Sequence, residues 1–257
     1  MKIAIFQSVI PHYREYLFKS LAKTNDLQVF LYGSHEVGLK TVNIINTSKL
    51  KSLNFGPFTI FIPPLLYKYD IVILQGNMWH LSNWLIILWY KLFNTKILLF
   101  GHGISCAKYL KEIKRPIFVR RIFHLLSDGL IFYTNDVAVS YKWRVPYFVM
   151  NNTLSLSDNK KKEVLITKNK IRFLVMTRFN SEKKRGDLLN DFILKLPENK
   201  YEFHIVGDGN YLNRLDHKNV IYYGALYEES KINSLFNICD CFVHLAWTGL
   251  SIVQALA

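Results

Sequence analysis

Three loops in the last third of the chain carry residues suited to phosphate. Thr177-Arg178-Phe179-Asn180-Ser181-Glu182-Lys183 follows the apolar run IRFLVM, Gly207-Asp208-Gly209-Asn210 follows YEFHIV, and Trp247-Thr248-Gly249-Leu250-Ser251 follows CFVHLA. The guanidinium fork of Arg178 and the flexible ammonium of Lys183 can together neutralise a diphosphate and the charge that develops on it. Glycine at 207 and 209 lets the backbone approach a ligand closely, and the stretch Tyr211 to Leu215 reads as a helix whose N-terminus would favour an anion. Gly249-Leu250-Ser251 opens an apolar helix with unbonded N–H groups, and Gln254 on that helix can bond sugar or ribose hydroxyls. Each loop also has a plainer reading. Gly-Asp-Gly serves a tight turn about as well, Lys183-Lys184-Arg185 suits a solvated helix start, and Thr/Ser suits an ordinary helix cap. Arg178, directly after an apolar strand, is the hardest to explain that way.

Two further positions stand out in the first half. His102 lies between Gly101 and Gly103 after the run KILLF, a place for a group near a reacting centre. His12, in Pro11-His12-Tyr13-Arg14, serves equally as a ligand contact or as a turn residue at a helix start. The segment Lys108 to Arg121 interleaves Lys108, Lys111, Lys114, Arg115, Arg120 and Arg121 with Tyr109, Leu110, Ile113, Ile117 and Phe118. It reads as a basic amphipathic helix suited to an anionic membrane surface. A solvated helix with one face on a sheet is the alternative, and accounts better for the apolar side.

The elements that would position these residues alternate between strand and helix, the pattern of a parallel sheet with ligands at the carboxyl ends of its strands. Strands are expected at KIAIFQ, LQVFLY (27–32), FTIFI (58–62), IVILQ (71–75), KILLF (96–100), GLIFYT (129–134) and YFVM (147–150). Helices are expected from Pro11 with Tyr13, Tyr16, Leu17 and Leu21 on one face, then over 81–93, 105–126 (interrupted at Pro116) and 135–143. The polar run Ser155 to Lys162 lies within a linker at 155–168, which separates a first domain at 1–154 from a second at 169–257. In the second, Leu188, Leu189, Phe192, Ile193 and Leu196, then Ile232, Leu235, Phe236 and Cys239, show helical spacing.

Bulk composition narrows the partner. Half of the 257 residues are hydrophobic, enough for real cores, and 33 basic against 19 acidic side chains give a net charge of +14. That excess suits an anionic ligand, an acidic lipid or nucleic acid. The basic residues are spread over several segments and form no nucleic-acid module, so no nucleic-acid partner is expected. The most apolar stretch, Trp84 to Tyr90, is cut by Lys91 and Asn94, well short of the ~20 residues a membrane span needs. Sparse cysteines (Cys106, Cys239 and Cys241) and no recognisable signal peptide fit a reducing cytoplasm, with buried thiols rather than a metal site.

Taken together these features resemble the retaining glycosyltransferases of family four, which have the GT-B fold. The resemblance runs the whole length and is strongest from Ile171 to Ala257. It rests on Thr177-Arg178 with Glu182-Lys183, Val206-Gly207-Asp208-Gly209, Ile221-Tyr222-Tyr223-Gly224, Cys239-Asp240-Cys241-Phe242-Val243 and Gly249-Leu250. Pro11-His12-Tyr13-Arg14 and His102-Gly103 look like members that build bacterial surface polysaccharides. The resemblance implies an α/β protein with two Rossmann-like domains facing a cleft. A UDP- or GDP-type sugar donor would sit in the second domain. A lipid-linked or saccharide acceptor would sit in the first, on the His12, Tyr13 and Arg14 side. Arg178 and Lys183 would hold the donor diphosphate, with Gly207, Asp208, Gly209, Gly249, Leu250, Ser251 and Gln254 around the donor and His102 near the sugar. No cofactor or divalent metal is implied. The setting would be the cytoplasm, with peripheral contact to the inner face of the membrane.

Two departures from the family pattern stand in the sequence. The family's paired glutamates, with seven residues between them, fall at Ala246 and Gln254. The family also continues past this helix, so the second domain is expected to be incomplete. An inactive fragment or pseudoenzyme of the family is therefore one alternative reading, and a GT-B nucleotide-sugar epimerase is another.

Overall fold

The computed structural model describes residues 1–8, 10, 14–33, 46–65, 68–103, 118–135, 144–151, 170–245 and 250–256. The chain divides into two compact units, Met1–Asn152 and Thr153–Ala257. The 155–168 segment lies outside the described residues.

The first unit contains β1 (Lys2–Gln7), α1 (Glu15–Thr24), β2 (Asp26–Leu31), β3 (Asn46–Lys49), β4 (Ser52–Phe55), β5 (Phe58–Phe61), β6 (Ile71–Gln75), α2 (Leu81–Lys91), β7 (Lys96–Gly101), α3 (Phe118–Leu125), β8 (Gly129–Phe132) and β9 (Tyr147–Val149). Seven of these strands form one sheet in the order β3-β2-β1-β6-β7-β8-β9, every neighbouring pair parallel. The chain runs from β1 outward to β3, then returns to the other side of β1, so the strand order reverses between β1 and β6. A parallel strand is covered on both faces, so its alternate residues feed two cores. Ala4 and Phe6 join Val72, Leu74, Ile97 and Leu99 under Ile86, Ile87 and Tyr90 of α2. Ile3 and Ile5 join Leu27, Val29 and Leu31 under Phe18 of α1.

The second unit repeats the scheme with β10 (Ile171–Met176), α4 (Gly186–Leu194), β11 (Tyr201–Val206), β12 (Val220–Gly224), α5 (Glu229–Ile238), β13 (Cys241–Val243) and α6 (Leu250–Leu256). Its sheet order is β12-β11-β10-β13, again all parallel, with the reversal between β10 and β13. Leu189 and Ile193 of α4 are fully buried against Phe203 and Ile205. Leu235 of α5 covers Leu174 and Val206 on the other face.

The structure corrects several expectations. FTIFI is not a strand of the parallel sheet, because β5 pairs antiparallel with β4 in a separate hairpin. β3, with the polar sequence NTSK, extends the sheet where no apolar pattern announced it. α1 begins at Glu15 and buries Phe18, with Leu21 and Ala22 beside it, while Tyr16 points to solvent. Tyr211 to Leu215 is not helical. There the Tyr211 N–H bonds Phe179 O at 2.9 Å and the Leu215 N–H bonds Tyr222 Oη at 2.8 Å, so these donors are taken by the loop after β10 and by a side chain of β12. Of the helix expected over 105–126 only Phe118–Leu125 is described, and that expected over 135–143 lies outside the described residues after Asn135.

A buried polar chain ties the carboxyl ends of β1, β2 and β6 together. Asn77 Nδ2 is 2.9 Å from His80 Nε2, and His80 Nδ1 is 2.8 Å from Tyr32 Oη. The Tyr32 hydroxyl donates to Gln75 Oε1 at 3.0 Å, which also accepts the Ser8 N–H at 3.1 Å. An amide nitrogen can only donate, so His80 Nε2 accepts and Nδ1 carries the proton, which is the neutral imidazole. Burial lowers the His80 pKa to about 4 in agreement. His124, buried in α3, is likewise lowered to about 4, by burial first and then by the Arg120 charge.

A histidine with a depressed folded pKa takes up its proton more readily when unfolded. Its contribution is therefore complete above the unfolded value and is lost as pH falls toward the folded value. Each buried histidine is expected to remove about 3 kcal/mol of stability between neutral pH and pH ~4. Thermal unfolding followed across that range should show a falling midpoint. His80→Gln, which keeps donors and an acceptor but cannot titrate, should remove about half of the fall, His124 supplying the rest.

Candidate functional site

In each unit the loops gather at the carboxyl edge of a parallel sheet, where a ligand finds free backbone groups. In the first unit β7 ends at Gly101 and His102 follows, while β8 ends at Phe132 and Tyr133 follows. The His102 and Tyr133 rings meet edge to face with centroids 4.4 Å apart, and Tyr133 meets Phe100 the same way at 4.9 Å. Arg14, from the segment after β1, lays its guanidinium over both Phe100 and Tyr133, 4.7 and 4.8 Å from the ring centres. Aromatic faces hold a cation there without removing its charge. His102 is held below the ordinary imidazole pKa, first by loss of solvation and then by the Arg14 charge. The cluster therefore presents a cation and a neutral imidazole side by side. His12 and Tyr13 lie outside the described residues. Tyr133 is the residue the sequence reading passed over. The apolar run GLIFYT (129–134) hides it by placing Tyr133 inside a strand, whereas β8 ends at Phe132.

In the second unit the loop after β10 is held by the loop after β11. The Thr177 N–H bonds Val206 O at 3.1 Å, the Phe179 N–H bonds Asp208 O at 3.0 Å, and Phe179 O accepts the Tyr211 N–H. Gly207 and Gly209 have φ of 136° and 143°, a region that side chains rarely enter. A Cβ on Gly207 would lie 1.8 Å from Thr177 O, and one on Gly209 would lie 2.3 Å from Phe179 O. The glycines are thus required by loop-on-loop packing. Asp208 is exposed and folds its carboxylate back on its own loop, accepting the Gly209 N–H at 2.8 Å, with the Arg214 guanidinium 3.8 Å away. Since no helix follows Gly209, the expected helix-terminal anion site at this motif is not formed.

Arg178 sits between half-buried Thr177 and buried Phe179, and is itself exposed with no ion pair among the described residues. Its loop lies at the end of β10, one side of the strand-order reversal. α6 begins at Leu250 after β13, the other side of that reversal. Ser251 lies in its first turn, and Gln254 opens the second; both are half-buried. Lys183 belongs to a single 3-10 turn, Glu182–Lys184, and its side chain is outside the described part. Ala246 and Gly249 also lie outside the described residues. Arg178, Leu250 and Ser251 are therefore at the strand-order reversal, while Gly207, Asp208 and Gly209 lie one strand away and brace it.

No protein-family model matches the chain, and no curated protein matches it in sequence. Solved structures do. A glycosyltransferase from Rickettsia africae superposes with a TM-score of 0.67 at 15% identity, over 98% of this chain and 76% of that one. HepE from Anabaena, in complex with UDP and glucose, gives 0.65 at 15% identity, over 100% and 78%. An apo lipopolysaccharide outer core galactosyltransferase, WaaB, gives 0.56 at 14% identity, over 91% and 71%. Likeness at such identities establishes architecture, and the chain has the α/β fold of the GT-B glycosyltransferases.

Two outcomes follow from the geometry. NMR titration should place the His102 midpoint below that of a free imidazole, and Arg14→Ala should raise it by removing a neighbouring positive charge. Gly207→Ala should destabilise the fold by about 3 kcal/mol, because a strained φ and a backbone clash coincide there. A lowered unfolding midpoint checks it.

Proposed function

We propose that the protein moves a sugar from a UDP- or GDP-type donor to a lipid-linked or saccharide acceptor, with retention at the anomeric carbon, in building a bacterial surface polysaccharide. The observation that carries this reading is the placement of Arg178 and the start of α6 on the two sides of the β10/β13 reversal. That is where the parallel-sheet rule puts a phosphate-bearing ligand. Arg178 and Lys183 hold the donor diphosphate. The backbone N–H groups of Gly249, Leu250 and Ser251 complete its hydrogen bonds, and Gln254 meets a hydroxyl of the donor. Gly207, Asp208 and Gly209 form the side of the donor site by fixing the Arg178 loop.

As the glycosidic bond to the donor breaks, negative charge grows on the departing diphosphate. Fixed cations and N–H dipoles stabilise it without reorganising. A metal is not needed for that charge balance. His12, Tyr13 and Arg14 are assigned to the acceptor, and the neutral imidazole of His102 accompanies the Arg14 charge there. The likeness to a lipopolysaccharide galactosyltransferase and to a UDP- and glucose-bound structure supports the choice of substrate class.

Calorimetric titration with UDP- and GDP-sugars should detect binding, and Arg178→Ala should weaken it roughly tenfold to a hundredfold, the worth of one or two charge-assisted hydrogen bonds. Product stereochemistry read by NMR tests retention. A chain that binds no nucleotide sugar, or binds it equally well without Arg178, would falsify the reading.

A further inference from the structure

Two glutamines stand side by side at the carboxyl edge of the first unit, and only one of them is fully engaged. Phe6 pairs with Leu74 across β1 and β6, so Gln7 follows at the level of Gln75, and Gln75 pairs with Phe100 across β6 and β7. Gln75 Oε1 accepts both the Tyr32 hydroxyl and the Ser8 N–H. Gln7 is 5% exposed, and its Nε2 has no hydrogen-bond partner among the described residues. An amide nitrogen can only donate, and leaving it buried and unmatched is costly, so it calls for an acceptor oxygen. The position is the reversal of strand order between β1 and β6, where a parallel sheet receives its ligands.

Strand alternation sets which side of the sheet Gln7 serves. Ile3 and Ile5 of β1 pack under Phe18 of α1, and Gln7 falls on that side with them. Ile97 and Leu99 of β7, with Leu130 and Phe132 of β8, pack in the other core, which turns Phe100 and Tyr133 to the α1 side as well. Those are the two rings under the Arg14 guanidinium, and Arg14 is the N-cap of α1. Gln7, Phe100 and Tyr133 therefore share one side of this edge, with Arg14 over the rings. β1 and β7 are two strand spacings apart, roughly 10 Å. The two polar side chains close part of that gap, and a sugar bearing one acid group spans the rest.

The charge at this edge has one sign. In the first unit the acids whose side chains are described are Asp26, Asp70 and Asp128. Asp26 opens β2, while Asp70 and Asp128 precede β6 and β8, so all three lie at the amino edge. Two of them are engaged there, Asp70 by the Lys2 N–H at 2.7 Å and Asp128 by the Ile97 N–H at 2.8 Å. The carboxyl edge carries the Arg14 cation, on rings that leave its charge intact, and the donor of Gln7. Both groups bond oxygen, and the cation favours a negative one. A neutral saccharide would satisfy Gln7 alone.

We propose that Gln7 and Arg14 select an acceptor saccharide that bears an acid group, a phosphate ester or a carboxylate. Arg14 pairs with the acid, and Gln7 Nε2 donates to a further oxygen of the same molecule. The inference rests on the acceptor reading of the proposed function. Its test reads the first unit alone, so either can fail without the other.

Glucose 1-phosphate, glucuronate and glucose serve as probes, each titrated into the full chain labelled with nitrogen-15 and followed by NMR. At least one of the two acids should move the Gln7 side-chain amide signals, which are assigned by their absence in Gln7→Leu. It should also raise the His102 midpoint, because a nearby anion favours imidazolium. Glucose should bind at least tenfold more weakly and leave that midpoint in place. Arg14→Ala should bring the acids down to the level of glucose, a loss of about tenfold to a hundredfold. Gln7→Leu should weaken the acids about tenfold and leave the thermal unfolding midpoint unchanged or higher, since it removes an unpaired buried donor. A lower midpoint with unchanged affinity makes Gln7 a structural residue and overturns the proposal. Glucose that binds as well as the acids overturns it, as do signals that no probe moves. Arg178→Ala separates the two units. Shifts that survive it belong to this edge even in a chain that binds no nucleotide sugar, and shifts that vanish with it place the phosphate in the second unit and overturn the assignment.

Discussion

The candidate site of the second unit depends on one close contact, that of the Thr177–Phe179 backbone with the Gly207–Gly209 backbone. The two loops approach until no Cβ fits between them. Three hydrogen bonds then fix the register, from Thr177 to Val206, from Phe179 to Asp208 and from Tyr211 to Phe179. Phe179 is driven into the core beside Leu189 and Phe203. With its neighbours held on both sides, Arg178 can only project outward. Gly186 adds a third constraint, since a Cβ there would lie 2.2 Å from Tyr211 O, so the same loop also seats the start of α4. A cation presented by loops braced in this way is preorganised, which is what electrostatic stabilisation of a leaving group needs.

The first unit meets the same demand by different means. Its carboxyl edge is tied by a buried polar chain running Asn77, His80, Tyr32, Gln75, Ser8, in which every donor has an acceptor only if His80 is neutral. Further along the edge, aromatic rings take over, with Tyr133 and Phe100 supporting Arg14 beside His102. Both units thus hold a cation at a sheet edge, one through backbone packing and one through ring faces.

Much of the fold was legible because parallel strands are buried on both faces and read as unbroken apolar runs, as in KIAIFQ, IVILQ and IRFLVM. Where burial is one-sided or supplied by other elements, the pattern misled. β3 is polar yet paired, because strand pairing is made by backbone groups that any side chain permits. FTIFI looked like a sheet strand because it is apolar on both faces, but one of those faces is exposed and the strand belongs to a hairpin. Tyr16 fits the helical period of α1, yet Phe18 is the buried residue, since the sheet below sets which face is covered. Tyr211 to Leu215 has helical spacing, but its backbone donors are taken by Phe179 O and Tyr222 Oη.

The sequence by itself determined the α/β class, the strand ends, and the residue types at those ends, because apolar runs and glycine-rich breaks are local properties of the chain. It put Arg178, His102 and the Gly-Asp-Gly motif on loops for that reason. Tertiary structure alone decided what those loops do. Strand order placed Arg178 and Leu250 on the two sides of a reversal and set Gly207 to Gly209 one strand away, which made the glycines a brace for Arg178. It also brought Tyr133 to His102. Such outcomes depend on which distant elements are neighbours, and side-chain type and spacing along one chain do not encode that.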